Sequence, residues 1–218
     1  MTRRFRLIVF DWDGTLSDSA LVIVHAIQAA CRDLGQPEPS DAGARYVIGL
    51  GMAEAIRHVA PALPQSEYDE FAARYRAHYL AGDGEIPLFA GVSEMLDELA
   101  ARGHLLAVAT GKSRVGLDRS LKMSRLARRF HATRCADEGF PKPHPDMLLT
   151  LMDWLDALPA ETLMIGDTTF DLELAKNART AALGVTYGAH PSADLLAWKP
   201  LAVVDSVADL RTWLEQHG

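Results

Sequence analysis

The sequence predicts an α/β fold in which a parallel-sheet core carries one inserted, all-helical domain. Three observations support this prediction. A short apolar run at residues 7–10 ends on a carboxylate. The long stretch after it, residues 17–82, contains helical patterns but no convincing strand. From Pro87 onward, strand-like and helix-like segments alternate, which is typical of a parallel sheet with helices on both faces.

The first element is a short strand that ends at an acidic pair. Residues 7–10 are Leu-Ile-Val-Phe, a continuous apolar run of the kind found in buried parallel strands. Asp11 therefore stands at the C-terminal tip of the predicted strand. The segment Asp13-Gly14-Thr15 then turns the chain away from the sheet.

The inserted segment is predicted to form a small helical domain. Glycines and prolines separate four helical patterns, which cover residues 20–34, 41–47, 53–59 and 66–80. The insert amounts to roughly 65 residues, enough for a helical module.

The rest of the chain supplies the other strands of the sheet. The predicted strands are residues 105–110, 132–135, 163–166, 182–187 and 201–204, and the predicted helices are residues 91–101, 113–126, 146–155, 172–178 and 207–216. This alternation predicts a Rossmann-like core. The predicted boundaries give a core of residues 1–16 and 87–218 and a helical cap of residues 17–86.

Three polar residues follow the ends of predicted strands. Asp11, Thr110 and Asp167 each stand at or just past such an end. Ligands of parallel α/β sheets bind beyond the carboxyl ends of the strands. We therefore expect three separate segments to deliver polar side chains to one common site.

Composition narrows the classes of function. A chain of 218 residues suits a core plus a smaller cap, and a net charge of −7 disfavours general nucleic-acid binding. We assign the basic run at residues 125–134 to a solvated helix face. The apolar run near the start is too short for a signal peptide or a membrane span. Cys31 and Cys135 form no CxxC pattern, so we expect reduced thiols in a cytoplasmic protein.

The acidic pair suggests two chemical roles. Residues two apart on an extended segment face the same way, so Asp11 and Asp13 can share one pocket. One carboxylate can attack phosphorus as a nucleophile, and the other can act as a general acid and base. An acidic turn in a loop is the alternative. A calcium-binding loop is disfavoured, because Val22 stands where that loop needs a glutamate.

Two further elements could hold a phosphoryl group. Thr110 and Gly111 offer a hydroxyl and a backbone N–H at a strand end, although such a pair is more often only a turn. Lys142 lies between two prolines and could offset the charge of a carboxylate and a phosphate together. A solvated loop lysine is the alternative for Lys142.

A second acidic pair could bind a metal ion. Asp167 follows the predicted strand at residues 163–166, and Asp171 lies four residues later. Helix N-capping is the competing interpretation of both residues, and the two interpretations are most evenly matched for Asp171. Carboxylates clustered around an incoming phosphate would repel it, and a bridging divalent cation removes the repulsion. Mg²⁺ fits best, because it prefers oxygen ligands and retains waters.

Taken together, these elements resemble the haloacid dehalogenase superfamily of phosphohydrolases, over nearly the whole chain. The matching positions are Asp11-x-Asp13-Gly14-Thr15, Thr110, Lys142 and Gly166-Asp167-x-x-x-Asp171. The helical insert resembles the cap of the phosphoglycolate phosphatase and beta-phosphoglucomutase branch.

The resemblance implies a role for each position. Asp11 would be the nucleophile and a metal ligand. Asp13 would be the acid and base and would offer its main-chain carbonyl to Mg²⁺. Asp167 would ligate Mg²⁺, and Asp171 would support it indirectly or through water.

The same resemblance implies the phosphate-binding groups. Thr110, with Gly111, would bind the phosphoryl group, and Lys142 would steady both Asp11 and that group. The expected activity is hydrolysis of a small phosphorylated metabolite through an aspartyl-phosphate. A sugar phosphomutase and a non-catalytic binding protein on the same fold remain alternatives.

Departures from other branches disfavour dehalogenase, P-type ATPase and phosphonatase activity. True dehalogenases lack an acid at the position of Asp13, and P-type ATPases carry lysine where this chain has Trp12. Phosphonatases of this branch need a cap lysine, and the first lysine here is Lys112, beyond the insert.

The sequence does not name the substrate. Arg45, Glu54 and Arg57 lie near a Gly49-Leu50-Gly51-Met52 turn in the insert and are candidates for contacts with substrate, although a surface role is more common for such residues. We expect a monomer that binds neither nucleic acid nor a membrane.

Overall fold

A six-stranded parallel sheet forms the centre of the computed structural model, which describes residues 4–82 and 86–218. The strands are β1 (Leu7–Phe10), β2 (Leu105–Thr110), β3 (Ala132–Cys135), β4 (Thr162–Gly166), β5 (Ala181–Val185) and β6 (Val203–Val204). Their order in the sheet is β3-β2-β1-β4-β5-β6. The strand order and parallel pairing confirm the predicted α/β core.

Strand register brings the site to one edge of the sheet. Phe10, the last residue of β1, pairs with Val108 of β2 on one side and with Ile165 of β4 on the other. The three central strands therefore end at nearly the same level. The segments that follow them start from neighbouring points, as expected for a parallel sheet.

Helices cover both faces of this sheet. In chain order they are α1 (Ala20–Asp33), α2 (Asp41–Tyr46), α3 (Met52–Val59), α4 (Tyr68–Gly82), α5 (Val92–Ala101), α6 (Arg114–Ser124), α7 (Asp146–Trp154), α8 (Thr169–Asn177), α9 (Ser192–Ala197) and α10 (Val207–His217). Successive strand residues face opposite sides. Ile8 accordingly packs into a core with residues of α5, α6 and α10, and Val9 into a core with residues of α7 and α8.

Helices α1 to α4 form a module with its own hydrophobic core. Its buried residues include Val24, Ile27, Ile56 and Phe71. Because these four helices lie between β1 and β2 in the chain, the module is an insertion into the sheet domain. We call it the helical module. The boundaries between core and cap that were predicted from the sequence stay predictions. Residues 1–3 and 83–85 lie outside the described part of the chain.

Three elements differ most from the sequence-based expectation. Helix α8 begins at Thr169 rather than at residue 172, because Thr168 caps it and accepts a hydrogen bond from the backbone of Asp171. Helix α9 was not predicted, and β6 is limited to two residues, Val203 and Val204. None of the helices within residues 4–82 and 86–218 is long and apolar enough to cross a membrane.

Candidate active site

The turn after β1 places Asp11 at the sheet edge. The backbone N–H of Asp11 donates to the carbonyl of Ile165 at 2.9 Å, which continues the pairing of β1 with β4. Gly14 follows with a φ of +80°, a conformation that side chains disfavour. A Cβ at Gly14 would also collide with the carboxylate of Asp167. Glycine therefore allows the turn and the close approach of Asp167 at the same position.

Lys142 reaches Asp11 from a distant loop. Its Nζ donates to Asp11 Oδ1 at 2.7 Å and to Asp171 Oδ1 at 2.6 Å, and its side chain is fully buried. Burial opposes a charge on Lys142, but the carboxylates of Asp11 and Asp171 raise its pKa above the usual range. The lysine is a buried cation and not a solvated loop residue.

Asp11 itself lies in an unusual electrostatic environment. Burial raises the pKa of Asp11 to about 7, although the Lys142 ammonium acts in the opposite direction. Asp11 Oδ2 is buried and has no hydrogen-bond partner among the described residues. One oxygen of this carboxylate is therefore held and the other is left for a further ligand.

A third buried carboxylate completes the cluster. Asp167 accepts hydrogen bonds from the Thr15 hydroxyl at 2.8 Å and from the backbone N–H of Ala189 at 2.7 Å. Burial, together with the charges of Asp11 and Asp171, raises the pKa of Asp167 well above its usual value. This carboxylate is fixed in position but lacks a cationic partner among the described residues.

These carboxylates fit a hard divalent cation. Asp11, Asp167 and Asp171 each offer an oxygen, and these oxygens lie within 4.8 Å of one another. Lys142 pairs with two of these three buried acids, Asp11 and Asp171. Oxygen donors and the orphaned Asp11 Oδ2 suit a cation such as Mg²⁺ or Ca²⁺, which carboxylates bind readily. The arrangement indicates a metal site.

Asp171 has a second structural role at the start of α8. Its Oδ2 accepts hydrogen bonds from the backbone N–H of Thr168 at 3.0 Å and from the Thr168 hydroxyl at 2.7 Å. Thr168, not Asp171, is the N-cap residue, and Asp171 is its partner in a capping box. Asp171 thus takes part in the capping box and also pairs with Lys142.

Asp13 is held by a different set of groups. Its Oδ1 accepts a hydrogen bond from the Ser19 hydroxyl at 2.6 Å and lies 3.0 Å from Lys112 Nζ. Lys112 also donates to the Tyr79 hydroxyl at 3.0 Å and lies over the Tyr79 ring, 4.7 Å from its centroid. Although burial opposes it, the charge of Asp13 raises the pKa of Lys112.

The loop after β2 makes a close contact with the helical module. Thr110 is fully buried at the end of β2, and its Oγ1 accepts a hydrogen bond from the backbone N–H of Lys112 at 3.2 Å. A Cβ at Gly111 would lie 2.7 Å from the carbonyl oxygen of Gly49. Only glycine allows the two segments to approach so closely.

A cavity of about 780 Å³ separates the helical module from these carboxylates. Asp11, Asp13, Gly111 and Lys112 line it from the core. Of the predicted substrate contacts, Glu54 and Arg57 line it from the module, where Arg57 Nη2 lies 3.7 Å from Glu54 Oε1. Arg45, at the end of α2, is not among its described lining residues.

A known protein family matches most of the chain. The model of the family described as haloacid dehalogenase-like hydrolase matches residues 8–185. The chain belongs to this family. It is 38% identical to the probable phosphatase IndB of Dickeya dadantii over 94% of this chain and 91% of that protein. It is 32% identical to a 5'-nucleotidase of Pseudomonas aeruginosa over 98% of this chain and 97% of that protein.

Solved structures agree with this assignment. A structure described as a predicted phosphoglycolate phosphatase from Haemophilus somnus superposes with a TM-score of 0.85 at 27% identity, covering 97% of this chain and 99% of that one. The resemblance to the haloacid dehalogenase superfamily is therefore confirmed. The chain is a phosphatase of the branch that contains the phosphoglycolate phosphatases.

For this phosphatase, sequence reasoning named most of the site but missed Lys112. Its position, two residues after Thr110 at a strand end, was the available signal. The contributions of Ser19 and Tyr79 had no comparable signal, because they depend on how the helical module packs over the sheet.

Proposed function

We propose that this phosphatase hydrolyses phosphomonoesters of small metabolites with the help of Mg²⁺, through an aspartyl-phosphate on Asp11. The observation that carries the proposal is the state of the Asp11 carboxylate. Lys142 holds Oδ1, while Oδ2 is buried, without a partner among the described residues, in a side chain that lines the cavity. This is the arrangement expected of a positioned carboxylate nucleophile.

The metal site would involve the same carboxylates. Asp11 and Asp167 are the proposed ligands, with the main-chain carbonyl of Asp13, and Asp171 would contribute through water. Mg²⁺, when bound, would supply positive charge that favours the ionised form of Asp11 and screens the phosphate from the acids. The Asp171 carboxylate is already engaged by Lys142 and Thr168, which supports an indirect role.

Asp13 is the proposed general acid and base. Ser19 and Lys112 both bind its Oδ1, so Oδ2 is the oxygen that would carry the proton. Asp13 would first protonate the leaving oxygen and then take a proton from the water that attacks the aspartyl-phosphate. Thr110, Gly111 and Lys142 are the proposed partners of the phosphoryl group.

The helical module, predicted as residues 17–86, would act as a cap. Its position across the cavity from Asp11 and Asp13 supports a role in substrate selection and in excluding water. Neither a phosphomutase nor a non-catalytic protein is favoured, because similar proteins such as the probable phosphatase IndB are phosphatases and every expected carboxylate is present. Buried free thiols at Cys31 and Cys135 support a cytoplasmic location, and a monomer stays our expectation.

Metal dependence tests the proposal directly. We expect EDTA to abolish release of phosphate from a chromogenic phosphomonoester and added Mg²⁺ to restore it. Ca²⁺ should inhibit, because its larger and looser coordination disturbs the in-line geometry. Full turnover in chelator would remove Mg²⁺ from the mechanism.

A further inference from the structure

The cavity above the catalytic carboxylates is much larger than a phosphoryl group. Its volume of about 780 Å³ lies within the range of roughly 300–1,000 Å³ that is usual for sites of drug-sized ligands. Asp11 and Asp13 line only its core side. The alcohol part of the substrate must therefore occupy the space toward the helical module, or leave that space to water.

The module side of the cavity is largely apolar. Leu50, Met52, Tyr75 and Tyr79 line it, and we call these four residues the apolar wall. Met52 is 39% exposed, and the other three are partly buried. A ligand that covered this surface would gain roughly 25 cal/mol for each Å² of apolar area removed from water.

Two aromatic rings of this wall lie beside the proposed general acid. Tyr75 and Tyr79 are four residues apart on α4, and their ring centroids are 6.0 Å apart with planes tilted by 32°. The Tyr79 hydroxyl accepts a hydrogen bond from Lys112, whose Nζ lies 3.0 Å from Asp13 Oδ1. The oxygen that Asp13 protonates belongs to the leaving alcohol. That alcohol therefore leaves the reaction centre next to the aromatic pair.

Two cationic side chains of the cavity already have partners, so they are less available to bind an anionic group in the alcohol part of a small substrate. Lys112 is already bound to Asp13 and Tyr79, and Arg57 lies near Glu54. Arg76 and Arg119 also line the cavity. They support the competing hypothesis, in which these arginines bind a second anionic group of the substrate.

We propose that the substrate is a phosphomonoester whose alcohol carries a ring-sized apolar or aromatic body, held against the apolar wall. The inference rests on the proposed phosphomonoester hydrolysis and names its substrate class. Aryl-alkyl and nucleoside monophosphates belong to this class, whereas phosphoglycolate does not. The reaction is otherwise unchanged: the P–O bond to the alcohol breaks, and water supplies oxygen to phosphate and a proton to the alcohol.

Two esters that differ mainly in the ring provide the test. Benzyl phosphate and ethyl phosphate both release primary alcohols, so a difference in kcat/KM reports chiefly the contacts of the ring. We expect kcat/KM to be at least about 10-fold higher for benzyl phosphate, the lower end of what one buried methylene contributes in an apolar pocket. The value of kcat/KM should also be higher for a nucleoside 5'-monophosphate than for phosphoglycolate.

A matched pair of methionine variants locates the effect. Met52 belongs to the apolar wall, whereas Met123 on α6 is 47% exposed and is not among the described lining residues. Met52→Ser should reduce the preference for benzyl over ethyl phosphate by several-fold, because apolar contact with the ring is lost. Met123→Ser should leave that preference at the wild-type value.

The outcomes separate this inference from the proposed function. Equal kcat/KM for the two esters would overturn the inference and leave phosphomonoester hydrolysis intact. A preference for phosphoglycolate that is lost in Arg76→Met or Arg119→Met would also overturn the inference and leave phosphomonoester hydrolysis intact. It would show that the substrate carries a second anionic group. If no ester is hydrolysed in the presence of Mg²⁺, the proposed function fails and the inference fails with it.

Discussion

The site contains one fully buried lysine, Lys142, and one largely buried lysine, Lys112, and they differ in what they connect. Lys142 pairs with Asp11 and Asp171, both of which belong to the sheet domain. Lys112 pairs with Asp13 and also binds Tyr79, which belongs to the helical module. The first lysine is therefore enclosed by the core, whereas the second joins the core to the module.

This difference separates two tasks of the site. The surroundings of Lys142 position the proposed nucleophile and balance buried negative charge, whatever the alcohol part of the substrate is. The surroundings of Lys112 place the proposed acid and base beside the cavity wall, where the alcohol would bind. Changes near Lys142 should therefore affect all substrates alike, and changes near Lys112 should depend on the leaving group.

The largest effect is expected for Asp11→Asn. An amide is a poor nucleophile and a poorer metal ligand, so turnover of every phosphomonoester should fall by at least about 10⁴-fold, as when other hydrolases lose a reacting group. Phosphate release should be measured with both nitrophenyl and alkyl esters. Substantial activity in this variant would remove Asp11 from the mechanism.

Removal of the enclosed lysine should cost stability as well as activity. Lys142→Met leaves Asp11 and Asp171 buried without their cation, and loss of one partner of a buried pair typically costs about 3–5 kcal/mol. Urea denaturation measures the change in the free energy of unfolding. Lys122→Met is the matched control, because Lys122 is exposed on α6, and its effect should stay within about 0.5 kcal/mol.

Asp13→Asn should reveal the dependence on the leaving group. The variant keeps the size of the side chain and the main-chain carbonyl, so Mg²⁺ binding should largely survive. Hydrolysis of alkyl phosphates should fall by about 10²–10⁴-fold, because no group protonates the leaving oxygen. Formation of the aspartyl-phosphate from a nitrophenyl ester should suffer less. Wild-type rates with both esters would show that Asp13 is only a turn residue.

The smallest effect is expected at the bridge between core and module. Lys112→Met removes a charged hydrogen bond from Asp13 and from Tyr79, which is worth about 1.5–3 kcal/mol. We expect kcat to fall by roughly 10- to 100-fold with alkyl esters and less with nitrophenyl phosphate, with partial recovery in Lys112→Arg. Equal losses for both ester types would contradict the distinction between the two lysines.

Much of the core site could be predicted from sequence, for identifiable reasons. Asp11 and Asp167 directly follow apolar strands, and parallel strands deliver their ends to one edge. The contact of Lys142 with Asp11 could be proposed only through the resemblance, since its loop lies 131 residues from Asp11 along the chain. The double engagement of Asp171, by Thr168 and Lys142, was also beyond prediction, because it depends on where α8 begins.

The module side of the site could be predicted only in part. The helices were identifiable from their periodicity, but their orientation over the sheet was not. Glu54 and Arg57 line the cavity and Arg45 does not, although all three are close in the chain. Tyr75 and Tyr79 resemble any other aromatic residues of an amphipathic helix until the packing of α4 over the site is known.

Trapping of the aspartyl-phosphate tests the central claim most directly. The Asp13→Asn variant, given a nitrophenyl ester labelled in its phosphoryl group, should form the phosphoenzyme but lack the base that hydrolyses it. After rapid acid quench and proteolysis, we expect the label on the peptide that contains Asp11, at a level well above that of the wild type. Absence of labelled protein, or label on a peptide without Asp11, would contradict an aspartyl-phosphate on Asp11.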